Sequence, residues 1–264
     1  MKEKNKIFVI ESDVNSIECE LANADLNLEV SKDDVFKVEY ANSKNVHIGN
    51  GESGLIISQK KRLFGGKQRF KICVPSYVLP SVTVNGKHVD FLISDGIFGE
   101  LNLNIDSGNI YLSSGVFESA AISGNDINAT VDCSTIKSDL FLRIENGSVL
   151  TENTFATHCE CRLNSGNIGL VNFDCKDSFF ETQNGNVMAS LSGCEENFTY
   201  EIISREGTTN RENSVKIDAE GEFHACTQKG NVVLDFLGVP KATPETTALK
   251  EPDLEELDNK KENV

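Results

Sequence analysis

The chain has 264 residues, of which 39% are hydrophobic and 25% charged, and carries a formal net charge of −16 with a pI near 4.7. A field of that sign repels a phosphate backbone or an anionic membrane surface, so nucleic acid is excluded as an expected partner. No run approaches the roughly 20 apolar residues of a membrane span. The opening apolar run, Ile7 to Ile10, is shorter than the ~7–15 residues of a secretory core, so the sequence as written reads as cytoplasmic.

Residues 1–100 are strand-rich and irregular. Ile7 to Ile10, Ile17/Cys19/Leu21, Leu26/Leu28, Phe36/Val38/Tyr40, Leu55 to Ile57 and Phe70/Ile72/Val74 read as strands, in keeping with the cap that the first segment of a repeat array requires. Between Ser58 and Val89 stands a basic island in an otherwise acidic chain: Lys60, Lys61, Arg62, Lys67, Arg69, Lys71 and Lys87, with no acid among them. Its centre, Leu63-Phe64-Gly65-Gly66, predicts a hairpin tip. Lys60, Lys61, Arg62, Lys67 and Arg69 are candidates for docking an anionic partner; the plainer reading is a solvated turn that balances nearby acids.

Residues 101–237 carry a recurring phrase. It reads Ser107-Gly108-Asn109-Ile110, Asn146-Gly147-Ser148-Val149, Ser165-Gly166-Asn167-Ile168, Asn184-Gly185-Asn186-Val187 and Lys229-Gly230-Asn231-Val232, with a looser copy at Ser123-Gly124-Asn125-Asp126-Ile127. With Gly207 included, the glycines recur at a mean step of about 20, which falls in the range of solenoids and arrays. Three, five and seven positions before a corner glycine the side chains are mostly apolar, as in Ile105, Leu103 and Leu101, and two and four after it they are apolar again, as in Ile110 and Leu112. This is period-two alternation on both sides of a Gly-Asn corner, hence strand, corner, strand and a looser return. Glycine takes φ > 0 without steric cost and asparagine tolerates it, so Asn109, Asn125, Asn167, Asn186 and Asn231 are expected to stack as a ladder.

The expected fold is therefore all-β: a parallel β-solenoid (β-helix), right-handed because parallel crossovers prefer that hand, with about 20 residues per coil. The last coil, ending near Phe236, would leave an open strand edge unless the tail covers it. Residues 238–264, with four lysines against seven acids and several prolines, read as an acidic, disordered or weakly helical tail.

The order of these features resembles the bacterial putative-adhesin family of unknown function with β-strand repeats (DUF4097-like). Lys37-Val38-Glu39-Tyr40, Phe70-Lys71-Ile72-Cys73-Val74-Pro75 and the serial Ser/Asn-Gly-Asn/Asp-Ile/Val corners carry the resemblance across residues 7–237. It implies a β-solenoid often linked to the cell envelope and supplies no catalytic residues.

The remaining chemistry is sparse. Eight cysteines without an export signal favour reduced thiols. Alternation points Cys159 and Cys161 inward and His158 outward, so the three diverge and no metal set forms. Cys133, Cys175 and Cys194 each lie nine positions after a repeat glycine, which predicts that Cys175 and Cys194 stack on adjacent coils as thiols. His47, His88, His158 and His224 are scattered, and no nucleophile elbow, Walker loop or dinucleotide fingerprint occurs, so no catalytic, cofactor or metal residues are assigned. The leading expectation is a non-catalytic binding or scaffold protein for an unknown protein or envelope polymer. The alternatives are a cytoplasmic structural solenoid that self-assembles through its ends, and a polysaccharide-active β-helix enzyme using outward residues such as Arg143 and Arg162.

Overall fold

The computed structural model describes residues 5–10, 14–41, 43–51, 54–60 and 66–238. The strands are β1 (Asn5–Ile10), β2 (Ser16–Val30), β3 (Phe36–Ala41), β4 (Val46–Asn50), β5 (Gly54–Gln59), β6 (Gln68–Val74), β7 (Ser81–Ile93) and β8 (Gly96–Ser113). They continue with β9 (Gly115–Asp132), β10 (Thr135–Glu152), β11 (Phe155–Ser165), β12 (Ile168–Asn184), β13 (Val187–Leu191), β14 (Phe198–Ser204), β15 (Gly221–Lys229) and β16 (Val232–Phe236). All sixteen belong to one sheet, and the only helix among the described residues is a 3-10 turn at Glu195–Asn197.

The long central strands bend within their length. Gly96 of β8 lies opposite Gly115 of β9, and Phe155 of β11 opposite Asp174 of β12, each pair parallel and one repeat apart along the chain. Each bent strand offers a stretch before the corner and a stretch after it, and these stack into a pre-corner face and a post-corner face. Their inward residues, such as Leu101, Leu103 and Ile105 from one and Ile110 and Leu112 from the other, meet in one continuous core. The fold is thus all-β and solenoid-like.

The corner explains the repeated glycine. Gly147 and Gly166 have φ of 136°, and a Cβ on either would collide with a backbone carbonyl of the preceding coil, Ile127 O and Gly147 O respectively. One copy of the phrase is misplaced. Gly108 pairs with Ile127 and Asn109 with Asn128, so Asn128, not Asn125, stands at the corner of β9. The side-chain ladder accordingly runs Asp90, Asn109, Asn128 and Ser148, then Asn167, Asn186, Asn231 and Thr208.

The looser return is a second tight corner. Ser114, Cys133, Asn153 and Asn172 all have φ near 50° (53°, 47°, 47° and 51°), and the N–H of each of the first three bonds a carbonyl one coil on. Cys133 is therefore the counterpart of Asn153 at an exposed corner, while Cys175 is buried opposite Ala156. Cys133 and Cys175 thus take different places on their coils, although each lies nine positions after a repeat glycine. All eight cysteines are free.

The ends depart from chain order. β5 and β6 do not pair with each other: β5 pairs with the first half of β2, β6 with its second half, both parallel. They stand on different faces and are not the two arms of the expected hairpin. Residues 61–65, which include Lys61, Arg62 and most of the expected tip, lie outside the described residues. β4 then adds antiparallel to β5, β3 antiparallel to β6, and β1 antiparallel to β3. At the other end the chain steps outward and returns. β15 pairs with β12 on one side and β14 on the other, so the coil of Gly230 sits between those of Gly185 and Gly207.

This return closes edges expected to stay open. Along β16, Asn210 Oδ1 accepts from Leu234 N at 2.9 Å, Asn210 Nδ2 donates to Leu234 O at 3.1 Å, and Val232 N donates to Thr208 O at 3.0 Å. Beyond β14, Tyr200 and Ser214 exchange backbone bonds, and Ile202 N donates to Asn213 Oδ1 at 2.8 Å. Residues 239–264, nearly all of the expected tail, lie outside the described residues.

Candidate functional site

Outward residues of β3, β6, β2, β7 and β8 line a groove of about 1020 Å³ on the post-corner face. Register sets Glu39 beside Lys71, Lys71 beside Asn27, Asn27 beside Leu92 and Leu92 beside Tyr111. Three of the basic residues stand here among acids. Lys67 pairs with Asp90 and lies 3.5 Å from Asp25; Arg69 lies 3.7 Å from Asp25; Lys71 lies 2.7 Å from Glu29. Burial alone would raise the Asp90 carboxyl, but hydrogen bonds from Lys67 and from the backbone and side chain of Asn109 hold it below the ordinary aspartate value. Burial alone would likewise lower Lys67, yet Asp90 and Asp25 raise it. Of the five docking candidates, Lys60, Lys67 and Arg69 are exposed, with Lys67 held in this network and Arg69 at the groove rim, while Lys61 and Arg62 lie outside the described residues.

The two lateral faces differ along the central strands. On the pre-corner face, Phe141, Glu160, Phe179, His224 and Glu201 form one register row, and Arg143, Arg162, Glu181 and Cys226 the next. Charges and rings interlock there: Arg162 bonds Glu160 at 2.7 Å and its guanidinium lies 5.0 Å from the Phe179 ring. Arg143 and Arg162 are neighbours in register, as their outward placement predicted. On the post-corner face the row Leu92, Tyr111, Thr130, Leu150, Gly169, Met188 and Val233 is uncharged throughout. Sequence reasoning missed this row, although its signal was present: the third position after a corner glycine is Tyr111, Leu150, Gly169, Met188 or Val233.

Cys159 and Cys161 are wholly buried in the core, facing away from His158, which packs edge-on to Phe141 outside. Burial pushes the Cys159 thiol well up, and the neighbouring Cys175, Cys161 and Glu160 add to the rise; burial does the same for Cys161. These thiols stay protonated and act as small apolar fillers. Among the described residues no three His, Cys, Asp or Glu side chains converge as metal ligands, and no helix is long and apolar enough to cross a membrane.

The Toastrack DUF4097 family matches residues 2–231, nearly the whole of the bent-strand stack. The chain belongs to that family. Among solved structures, one match is the protein named "putative adhesin" from Parabacteroides merdae ATCC 43184, 12% identical, with 89% of this chain and 95% of that one covered at a TM-score of 0.52. Proteins of the same name from Bacteroides fragilis NCTC 9343 (13% identity, 89% and 98% covered, TM-score 0.49) and Parabacteroides distasonis ATCC 8503 (15%, 87% and 96%, 0.48) also match. At 12% identity the likeness to the Parabacteroides merdae protein speaks to the fold alone. No curated protein matches the chain.

Proposed function

We propose that this Toastrack protein is a non-catalytic binding or scaffold protein, adhesin-like and associated with the cell envelope, which meets an extended polymer or protein along its lateral faces. The observation that carries this reading is the repetition of outward rows in register from β7 to β16, which offers an extended partner contacts at one spacing from strand to strand. The name of the Parabacteroides merdae relative agrees with it. The coils are taken as right-handed, about 20 residues each, in keeping with the hand of parallel crossovers.

Lys60, Lys61, Arg62, Lys67 and Arg69 are proposed as a secondary contact for an anionic group. Among the described members, Lys67 already serves Asp90 and Asp25, which leaves the exposed Lys60 and Arg69 with more charge to offer.

The test is capture by the immobilised protein from envelope and cytosolic fractions of the native host. Retention of an envelope polymer or protein is expected. Retention of cytosolic partners alone would overturn the envelope link, and turnover of an acidic polysaccharide would overturn the non-catalytic reading. A second reading, self-assembly through an end, is favoured by β1, whose Ile7 and Val9 are 63% and 52% exposed on a terminal strand. Light scattering that gives a monomer mass at high concentration removes it.

A further inference from the structure

We propose that the uncharged rows of the post-corner face are a binding surface for a neutral, hydroxyl-rich polysaccharide. This deepens the binding reading above and rests on it. From β8 to β13 the two outward positions nearest the corner are Asn109/Tyr111, Asn128/Thr130, Ser148/Leu150, Asn167/Gly169 and Asn186/Met188. None carries charge, in a chain of net charge −16. Strands spaced at about 4.8 Å make this patch roughly 19 Å long, and two positions along a strand set its rows about 7 Å apart.

The chemistry of the patch selects its ligand by exclusion and by fit. An acidic polymer finds no cation on this stretch and meets Asp132 and Glu152 on the row beyond, so it is repelled. A cationic partner gains nothing from the central rows themselves and is drawn instead to acidic rows such as that of Asp132 and Glu152. An extended peptide lying flat on a sheet face leaves its own N–H and C=O groups without a strand edge to pair with. A neutral sugar chain suits both rows at once. Its C–H faces pack on Tyr111, Leu150 and Met188, and its hydroxyls, which donate and accept by rotation, meet the carboxamides and hydroxyls of the corner row.

The corner row is already rigid. Asn128 Nδ2 donates to Asn109 Oδ1 at 3.4 Å, Ser148 Oγ to Asn128 Oδ1 at 2.9 Å, and Asn186 Nδ2 to Asn167 Oδ1 at 3.2 Å. These bonds fix each amide plane before a ligand arrives, so little side-chain freedom is lost on binding. Tyr111 and Met188 are 39% and 53% exposed in the same row, which makes them the natural contacts and leaves the fold indifferent to their replacement.

The experiment is affinity electrophoresis of the whole chain in native gels containing hydroxyethylcellulose, dextran or mannan, with alginate and polygalacturonate as acidic counterparts. Retardation by at least one neutral polymer and by neither acidic one is expected. Tyr111→Ala and Met188→Glu should each weaken it by about five-fold or more, with melting temperature unchanged, whereas Arg143→Glu on the opposite face should leave it intact. The proposal is overturned if no neutral polymer retards the protein, or if retardation survives Met188→Glu. Retention of alginate or polygalacturonate that Arg143→Glu abolishes would also overturn it, yet would leave the binding reading standing on the other face. Loss of all capture in the host-fraction assay is the separate outcome that removes the binding reading itself.

Discussion

The middle of the stack and its two ends are built on different rules. In the middle each strand finds its partner one repeat away, always parallel, and the same corner recurs. At the ends the partners are distant and varied. β2 reaches past β3, β4, β5 and β6 to pair with β7, β12 reaches past β13 and β14 to β15, and β4, β3 and β1 join antiparallel. A parallel coil extends only by copying itself, so stopping it requires strands that break the pattern or side chains that use up the edge. The first end does the former and the second the latter.

The sharpest way to separate the two regimes is to empty the middle. Phe180 is fully buried, with ring centroids 5.8 Å from Phe173 and 5.5 Å from Phe223, so it joins the two faces. Phe180→Ala should cost about 4 kcal/mol in denaturant unfolding, whereas Ile7→Ala on terminal β1, 63% exposed, should shift the midpoint hardly at all. A small loss at Phe180 would show that the coils are not one cooperative unit.

The corner should rank next. Gly166→Ala forces a side chain onto the carbonyl of Gly147 at φ of 136° and should cost about 3 kcal/mol. Gly66→Ala, where an added Cβ meets open space, is its control and should be near neutral in the same thermal melts.

At the second end, Asn210→Ala removes two hydrogen bonds from the free side of β16 and should cost about 1 kcal/mol. Hydrogen exchange at the Leu234 amide should quicken while amides of β8 and β9 stay protected. If β8 quickened equally, the edge would not be a separate unit of stability.

The smallest effect belongs to the first end. The Asp90 carboxyl is depressed in the folded chain, so its contribution is present above the ordinary aspartate pKa and is lost as pH falls through the folded value. Lys67 is raised, so its contribution is present below about 10.5 and is lost as pH rises past that point. Both side chains are 37% exposed and solvent screens them, which leaves about 0.5 kcal/mol. Wild type and Lys67→Met should differ by that amount near pH 7 and converge in melting temperature as pH falls through the depressed Asp90 value or rises through the raised Lys67 value.

The same division decides how much was legible in the sequence. The alternation around Gly108, Gly147 and Gly166 reports local geometry, and local geometry is what a strand and a corner need. The corner at Ser114, Cys133, Asn153 and Asn172 was harder to see, because three residue types share one backbone conformation and no glycine flags it. The phrase at Gly124 misled because the composition of a corner was present three positions before the corner itself. The position of β15 was not legible at all, since nothing in a strand's own residues says which of two parallel edges it will join. The uncharged row beside the asparagine ladder was readable in principle, but only once inward and outward positions were counted separately.

The coil of β15 and β16 is made last and placed second from the end, and this has a consequence for synthesis. As the chain emerges, strands β7 to β13 can dock in order, each onto a finished neighbour. β14 cannot, because the strand that will hold it is not yet made. At about 5–20 residues per second the ribosome needs on the order of seconds to supply it. Through that interval the growing protein carries a naked parallel edge on β12 with a loose strand beyond it, and β15 enters as a wedge that locks both together. A chain halted near residue 220 would therefore be worse than merely short: it would be a template for the strands of its neighbours.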